Sequence, residues 1–295
     1  MSILKQNELK EYIEQSEKIE IEPNFCIRLS KELMKKYVLG LYTKQINTMK
    51  GHMKAINDLG LQYPANANPI FYLYIVPDNN FKELLSYPIP NKDHGGKPVI
   101  CYDLDGFSWA YGISSNMIEN ENDLNVSQIV NEIHELAHLV YCQFFERYFC
   151  RMLGEGFAEC LPLYLLNMEN NFTLHQETLS KLKKEHILTA NQLITLEPDE
   201  WNDNSLYPDR SCSFRIAYLS SYLFVRSCLE NIELRFQLNK VAATQKFFEI
   251  LRTTTYTKQL FLVEIAQAIG VEEHYFLNEN QMQYNLARKL VESKN

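Results

Sequence analysis

The sequence predicts an α+β fold: a small N-terminal lobe built on a mixed sheet and a mostly helical C-terminal lobe, meeting at a helix that carries a histidine pair. Three observations carry this. Runs rich in β-branched and aromatic residues, punctuated by Gly, Asn and Asp, cluster between Ile70 and Ile113. Beyond Glu159, apolar residues recur almost wholly at three- and four-residue steps. Between these regions, residues 125–149 contain neither Pro nor Gly, and Val126, Ile129, Val130, Ile133, Ala137, Val140, Tyr141 and Phe144 recur at helical spacing.

In chain order, Met1 to Pro23 is charged and amphipathic and reads as a helix, and Lys31 to Leu59 as a long amphipathic one. Strands follow at Ile70–Val76, Val99–Leu104 and Phe107–Ile113, separated by turn signals at Asn79-Asn80, Asp93-His94-Gly95-Gly96 and Asp105-Gly106. An outer strand of this sheet beside the next helix would offer backbone groups to an extended substrate, with Trp109, Tyr111, Ser114 and Ser115 on that edge. The helix over 125–149, capped by Asp123 or Asn125, leads to Gly154-Glu155-Gly156-Phe157-Ala158-Glu159. The glycines there bracket a turn, Glu155 starts a second helix over Phe157–Met168, and Pro162 falls near its first turn. Helices continue through 179–187, 190–196, 214–229, 233–243 and 258–268. The chain thus divides into a helical segment 1–60, a sheet lobe 61–160 with the histidine helix and the following turn, and a helical lobe 161–295.

At 295 residues and 46% hydrophobic composition there is ample chain for a core. A formal charge of −8 and the lack of any Lys/Arg cluster exclude a nucleic-acid surface and fit a neutral or weakly cationic peptide better. No run reaches the roughly 18 to 20 apolar residues that span a bilayer. The N-terminus has no apolar core of a signal peptide, so neither a membrane partner nor standard export is expected. Seven cysteines, an odd number without paired spacing, fit reduced thiols in a cytoplasm.

The chemistry lies in His134-Glu135-Leu136-Ala137-His138, an H-E-x-x-H arrangement. Side chains four apart on a helix stand one above the other, so both imidazoles can converge on one ion. Such ligands suit one Zn2+ per chain, although another divalent metal can take the same set. Glu135 beside them can accept a proton from water whose pKa the metal has lowered toward neutrality. With seven His and 37 acidic residues, chance produces H-[DE]-x-x-H in roughly one chain in fifty of this composition. Context therefore has to support the pattern.

A catalytic zinc keeps three protein ligands and leaves a position for water. Glu155 is the candidate third ligand. Glu159, one turn on and on the same face, stands behind it to accept the free ring N–H of His134. The same two carboxylates also read as solvated charge at a helix N-terminus. Cys142 continues the face beyond His138, but each four-residue step rotates about 40° and climbs roughly 6 Å. It diverges from the ion and reads as a buried thiol. His52, His94, His175, His186 and His274 lie in polar contexts without partner spacing and read as surface residues.

Together, His134-Glu135-Leu136-Ala137-His138 and Gly154-Glu155-Gly156-Phe157-Ala158-Glu159 resemble the gluzincin zinc metallopeptidases, whose third ligand is a Glu in a short E-G-x-A segment downstream of HExxH. Ala217-Tyr218-Leu219-Ser220-Ser221-Tyr222-Leu223-Phe224-Val225-Arg226 resembles the tyrosine-bearing helix of the small, peptidase MA-like members. Phe247 to Phe276 is similar to their closing helix with its G-x-x-x-x-x-F element. The resemblance spans about Ile70 to Phe276, with specific motifs only at His134 to Glu159. It implies a thermolysin-like catalytic core and an active-site Tyr that stabilises the oxyanion, with Tyr218 at the matching position and Tyr222 and Tyr207 as alternatives. Asn116-Met117-Ile118-Glu119-Asn120 only echoes the G-A-M-E-N strand of gluzincin aminopeptidases. It lies in a polar, loop-like stretch too near His134, so exopeptidase specificity has no support.

The expected function is hydrolysis of peptide bonds, with His134, His138 and Glu155 on zinc, Glu135 as general base and Tyr218 as oxyanion donor. Two other readings stand beside it: a catalytically inactive, metal-stabilised peptide-binding or regulatory protein, and a metal-dependent hydrolase of a non-peptide substrate. Arg215 and Arg226 are either charges for a substrate carboxylate or solvated helix residues.

Overall fold

The structure, a computed structural model, describes residues 15–61, 70–77, 108–120, 126–144, 150–171, 178–196, 201, 216–254 and 260–292. It is α+β: among the described residues, a four-stranded mixed sheet accompanies a larger number of helices. The chain divides into two compact units, residues 1–58 with 65–139, and residues 59–64 with 140–295.

In the first unit, β1 (Glu17–Glu22) pairs antiparallel with β2 (Phe25–Leu29) across a tight turn at Pro23-Asn24. This corrects the helix expected over Met1–Pro23 for residues 17–22; residues 1–14 lie outside the described residues. The segment Lys18-Ile19-Glu20-Ile21-Glu22 alternates charged and apolar side chains with period two, and that local signal outweighs its charged composition. β2 then pairs parallel with β3 (Ile70–Val76), and β3 parallel with β4 (Ser108–Ser114), in the order β1-β2-β3-β4. Central β3 is buried along nearly its whole length, which is why it reads as a continuous apolar run. The strand expected at Val99–Leu104 lies outside the described residues, as does the side chain of Trp109. Tyr111, Ser114 and Ser115 are buried.

The helix expected over Lys31–Leu59 is two helices, α1 (Met34–Val38) and α2 (Thr43–Asp58). Gly40 divides them: its φ of +78° is left-handed, and its N–H bonds back to the carbonyl of Tyr37 at 2.8 Å. α2 buries Ile46, Met49, Met53 and Ile56 on one stripe. After β4, α3 (Ser115–Asn120) is helical rather than loop-like, and its Glu119 accepts from Lys36 at 2.8 Å and Tyr42 at 3.2 Å.

The long helix α4 (Val126–Phe144) falls where the periodicity places it. Within the first unit, the side chain of Gln45 on α2 donates to Glu132 on α4 at 2.7 Å, and His52 Nδ1 lies 3.4 Å from the second Glu132 oxygen. Glu132 is fully buried and His52 is 14% exposed, so His52 is a partner of the histidine helix rather than a surface residue. These contacts fix the rotation of α4 about its axis.

In the second unit, α5 (Arg151–Cys160) packs on α7 (Ile216–Phe236), with the short α6 (Ala190–Thr195) between them in sequence. Every residue from Met152 to Cys160 is buried. A Cβ on Gly156 would lie 2.5 Å from the Ser221 carbonyl oxygen, so the close approach of α5 to α7 requires glycine there. The glycines thus do not bracket a turn. The helix expected to begin near Glu155 begins at Arg151, and Pro162 falls after its end, in a π-helical turn over Leu161–Leu165 that is closed by Leu166 N–H on the Leu161 carbonyl.

Tyr141, Phe157 and Phe248 form a ring cluster with centroids 4.9 to 6.3 Å apart. α7 is buried almost all round, and it continues through Phe236 where a break and a new helix over 233–243 were expected. α8 (Lys240–Thr253), capped by Asn239, follows instead. α9 (Leu260–Ile269), α10 (Glu273–Asn278) and α11 (Gln281–Glu292) complete the unit. Among the described residues, no helix is long and apolar enough to cross a membrane.

Candidate metal centre

His134 and His138 occupy successive turns of α4, and their Nε2 atoms approach to 3.1 Å. Two ligands of a tetrahedral zinc at about 2.0–2.1 Å are separated by roughly 3.3–3.4 Å, so the two imidazoles already stand at nearly the spacing one ion requires. Glu155 is the third member: ligand atoms of His134, His138 and Glu155 all lie within 4.8 Å of one another. Two neutral imidazoles and a carboxylate suit a divalent cation of borderline hardness.

The helix start at Arg151 changes how Glu155 is held. It sits in the second turn of α5, fixed by backbone hydrogen bonds, instead of at a frayed first residue. Glu155 is 8% exposed and His138 2% exposed. This is no pair of solvated charges. Glu159, one turn further on the same helix, is also buried. Glu135 follows His134 directly in sequence on α4 and is 6% exposed, a carboxylate in a largely water-excluded setting.

The three tyrosine candidates separate. Tyr218 Oη accepts a hydrogen bond from Arg151 Nη2 at 3.2 Å, and its ring meets Trp201 edge-on at 5.6 Å. Arg151 Nε in turn lies 3.5 Å from Glu155 Oε1, so one guanidinium joins Tyr218 to the Glu155 carboxylate. Tyr222 is occupied elsewhere. Its hydroxyl donates to Glu169 at 2.9 Å and accepts from Arg226, and burial pushes the phenol well above its usual pKa. Tyr207 lies outside the described residues.

Arg226 is neither a substrate charge nor a solvated one: it is buried, with Glu169 at 2.7 Å and Glu230 at 3.1 Å. Burial opposes its charge, yet the facing Tyr222 and Glu169 hold the guanidinium protonated more firmly than usual. Arg215, His94, His175 and the side chain of Cys142 lie outside the described residues.

Sequence reasoning missed Arg151 and Trp201. An i,i+4 pairing of Arg151 with Glu155 was legible in principle, but only once Arg151 is placed inside the helix. No family model matches this chain, and no curated protein matches it either. Its functional reading rests on the chemistry of the site.

Proposed function

We propose that this chain is a gluzincin-type zinc peptidase in which His134, His138 and Glu155 hold the ion, Glu135 is the general base and Tyr218 the oxyanion donor. The observation that carries the reading is the convergence of two imidazole nitrogens at 3.1 Å with a buried carboxylate within 4.8 Å of them. When bound, the ion would supply Lewis acidity toward a peptide carbonyl and acidify the attacking water.

The residues of the chain do the remainder. Glu135 accepts the proton from the attacking water and passes it to the departing amine, a role suited to a carboxylate adjacent in sequence to a metal ligand. Tyr218, whose oxygen accepts from Arg151, donates its O–H to the carbonyl oxygen as charge develops there. Glu159 orients His134 by accepting its second ring N–H. An intact carboxylate at position 135 favours catalysis over a purely structural metal site, which needs no base. The net charge of −8 favours neutral or weakly cationic peptides. Cys26, Cys160 and Cys228 are buried thiols outside any disulfide, in keeping with a reducing cytoplasm.

The test compares zinc content and cleavage of a peptide library in wild type and Glu135→Gln. One equivalent of zinc in both, with cleavage only by wild type, supports the reading. Equal cleavage by both removes Glu135 as the base. Zinc uptake without any peptide cleavage favours the metal-stabilised binding protein or the non-peptide hydrolase.

A further inference from the structure

We infer that Arg151 is a positioning residue that joins the third-ligand carboxylate and the oxyanion-donor phenol in one frame, an inference that rests on the peptidase reading above. Its guanidinium meets three groups at once. Nη2 lies 3.2 Å from Tyr218 Oη, Nε lies 3.5 Å from Glu155 Oε1, and the guanidinium carbon stands 4.9 Å from the centroid of the Trp201 ring. Trp201 is buried, and its ring also meets Tyr218 at 88°, so the indole braces both partners.

The direction of the hydrogen bonds sets the function. A guanidinium has donors only, so the Tyr218 oxygen must accept from Arg151 and the single phenolic hydrogen is aimed elsewhere. Tyr218 is thereby held as a donor, the role an oxyanion requires of it. On the other arm, the ion pair at Oε1 restrains the Glu155 side chain that would hold the metal. The planar fork of Arg serves both partners from one side chain and stacks on the indole. Lys, a single point of charge, cannot do all three. The α-helix supplies the geometry, because Arg151 and Glu155 are one turn apart on α5.

The test uses the full chain in a Trp109→Phe background, which leaves Trp201 as the sole tryptophan of the two in the sequence. Zinc affinity, zinc-dependent Trp201 emission and peptide kinetics are measured for this background, Arg151→Met, Arg151→Lys, Tyr218→Phe and the Arg151→Met/Tyr218→Phe double variant. Arg151→Met should bind one zinc about tenfold more weakly and lose the zinc-dependent change in emission. Its kcat should fall about 10- to 100-fold with KM nearly constant, and the loss should not multiply with that of Tyr218→Phe. Arg151→Lys should recover zinc affinity but not kcat.

Zinc affinity in Arg151→Met equal to or tighter than in the background, or kcat losses that multiply, overturns the inference. A background protein that takes up zinc but cleaves no peptide defeats the peptidase reading alone, and the zinc and emission measurements then decide the role of Arg151. One that takes up no zinc overturns both.

Discussion

Replacing Gly156 with Ala adds one methyl group at the tightest contact between α5 and α7. The added Cβ would stand 2.5 Å from the Ser221 carbonyl oxygen, 2.9 Å from its carbonyl carbon and 2.5 Å from a Val225 methyl. Val225 can rotate, but the Ser221 carbonyl is helix backbone and cannot. Restoring ordinary contact requires the helices to part by about 0.9 Å at this point, an overpacking that costs ~3 kcal/mol. The higher helix propensity of Ala offsets ~1 kcal/mol of this. The net loss is ~2 kcal/mol, or a fall in Tm of about 4–8 °C for a unit of this size.

Because Glu155, the proposed third ligand, is the adjacent residue, the same movement displaces it, so zinc affinity should fall with stability. Gly51 on α2 is the control. A Cβ there meets nothing within 4 Å, so Gly51→Ala should stabilise by ~0.5–1 kcal/mol and leave zinc affinity alone. Thermal unfolding followed by circular dichroism, with zinc competition titration, reads both. A Gly156→Ala protein as stable as wild type, or stabilised like Gly51→Ala, would refute the close-packing account of this glycine.

Tyr218→Phe and Tyr222→Phe should separate cleanly. The first should lower kcat about 100-fold with little change in Tm, whereas the second, which removes a buried link between Glu169 and Arg226, should cost ~1–3 kcal/mol of stability and leave kcat of the folded fraction unchanged. Arg226→Met strips Glu169 and Glu230 of their buried cation and should destabilise by ~3 kcal/mol in urea titration; a change under ~1 kcal/mol would contradict its structural role.

Alkaline pH should also act through this cluster. Burial raises the phenols of Tyr164 and Tyr222 above the usual value of 10.0, so the folded chain keeps protons that the unfolded chain gives up. Their contribution is complete below about pH 10 and is lost as pH climbs toward the folded values. Lys240, whose lowered pKa comes from burial, acts in the opposite direction. Urea midpoints should therefore fall between about pH 9.5 and 11, and the fall should be shallower in a Tyr164→Phe/Tyr222→Phe variant.

What the sequence made legible were features whose cause is local. α4 is readable because an uninterrupted 3.6-residue pattern has no competing signal, and β3 because a short apolar run between turn residues leaves few alternatives. The grouping of His134, His138 and Glu155 was readable because helical spacing alone brings the two histidines together, and Glu155 is a short step along the chain. Failures arose where the deciding contact is distant in sequence. Gly156 looks like turn punctuation, and only the approach of Ser221, on another helix, explains a glycine within α5. The different surroundings of the tyrosines on α7 were hidden for the same reason. Tyr218 and Tyr222 are one turn apart on α7, and what distinguishes them is Arg151 on one side and Glu169 with Arg226 on the other. The charged composition of β1 suggests a helix, and only its period-two alternation points to a strand.

Zinc K-edge X-ray absorption on the protein loaded with one equivalent of metal tests the centre most directly. A zinc held by His134, His138 and Glu155 should show a shell of light atoms only, with two imidazole nitrogens and carboxylate and water oxygens at about 2.0–2.1 Å. Replacing either histidine with Ala should remove one imidazole's scattering. A sulfur shell at about 2.3 Å, or a spectrum unchanged in His138→Ala, would contradict an open site built from His134, His138 and Glu155.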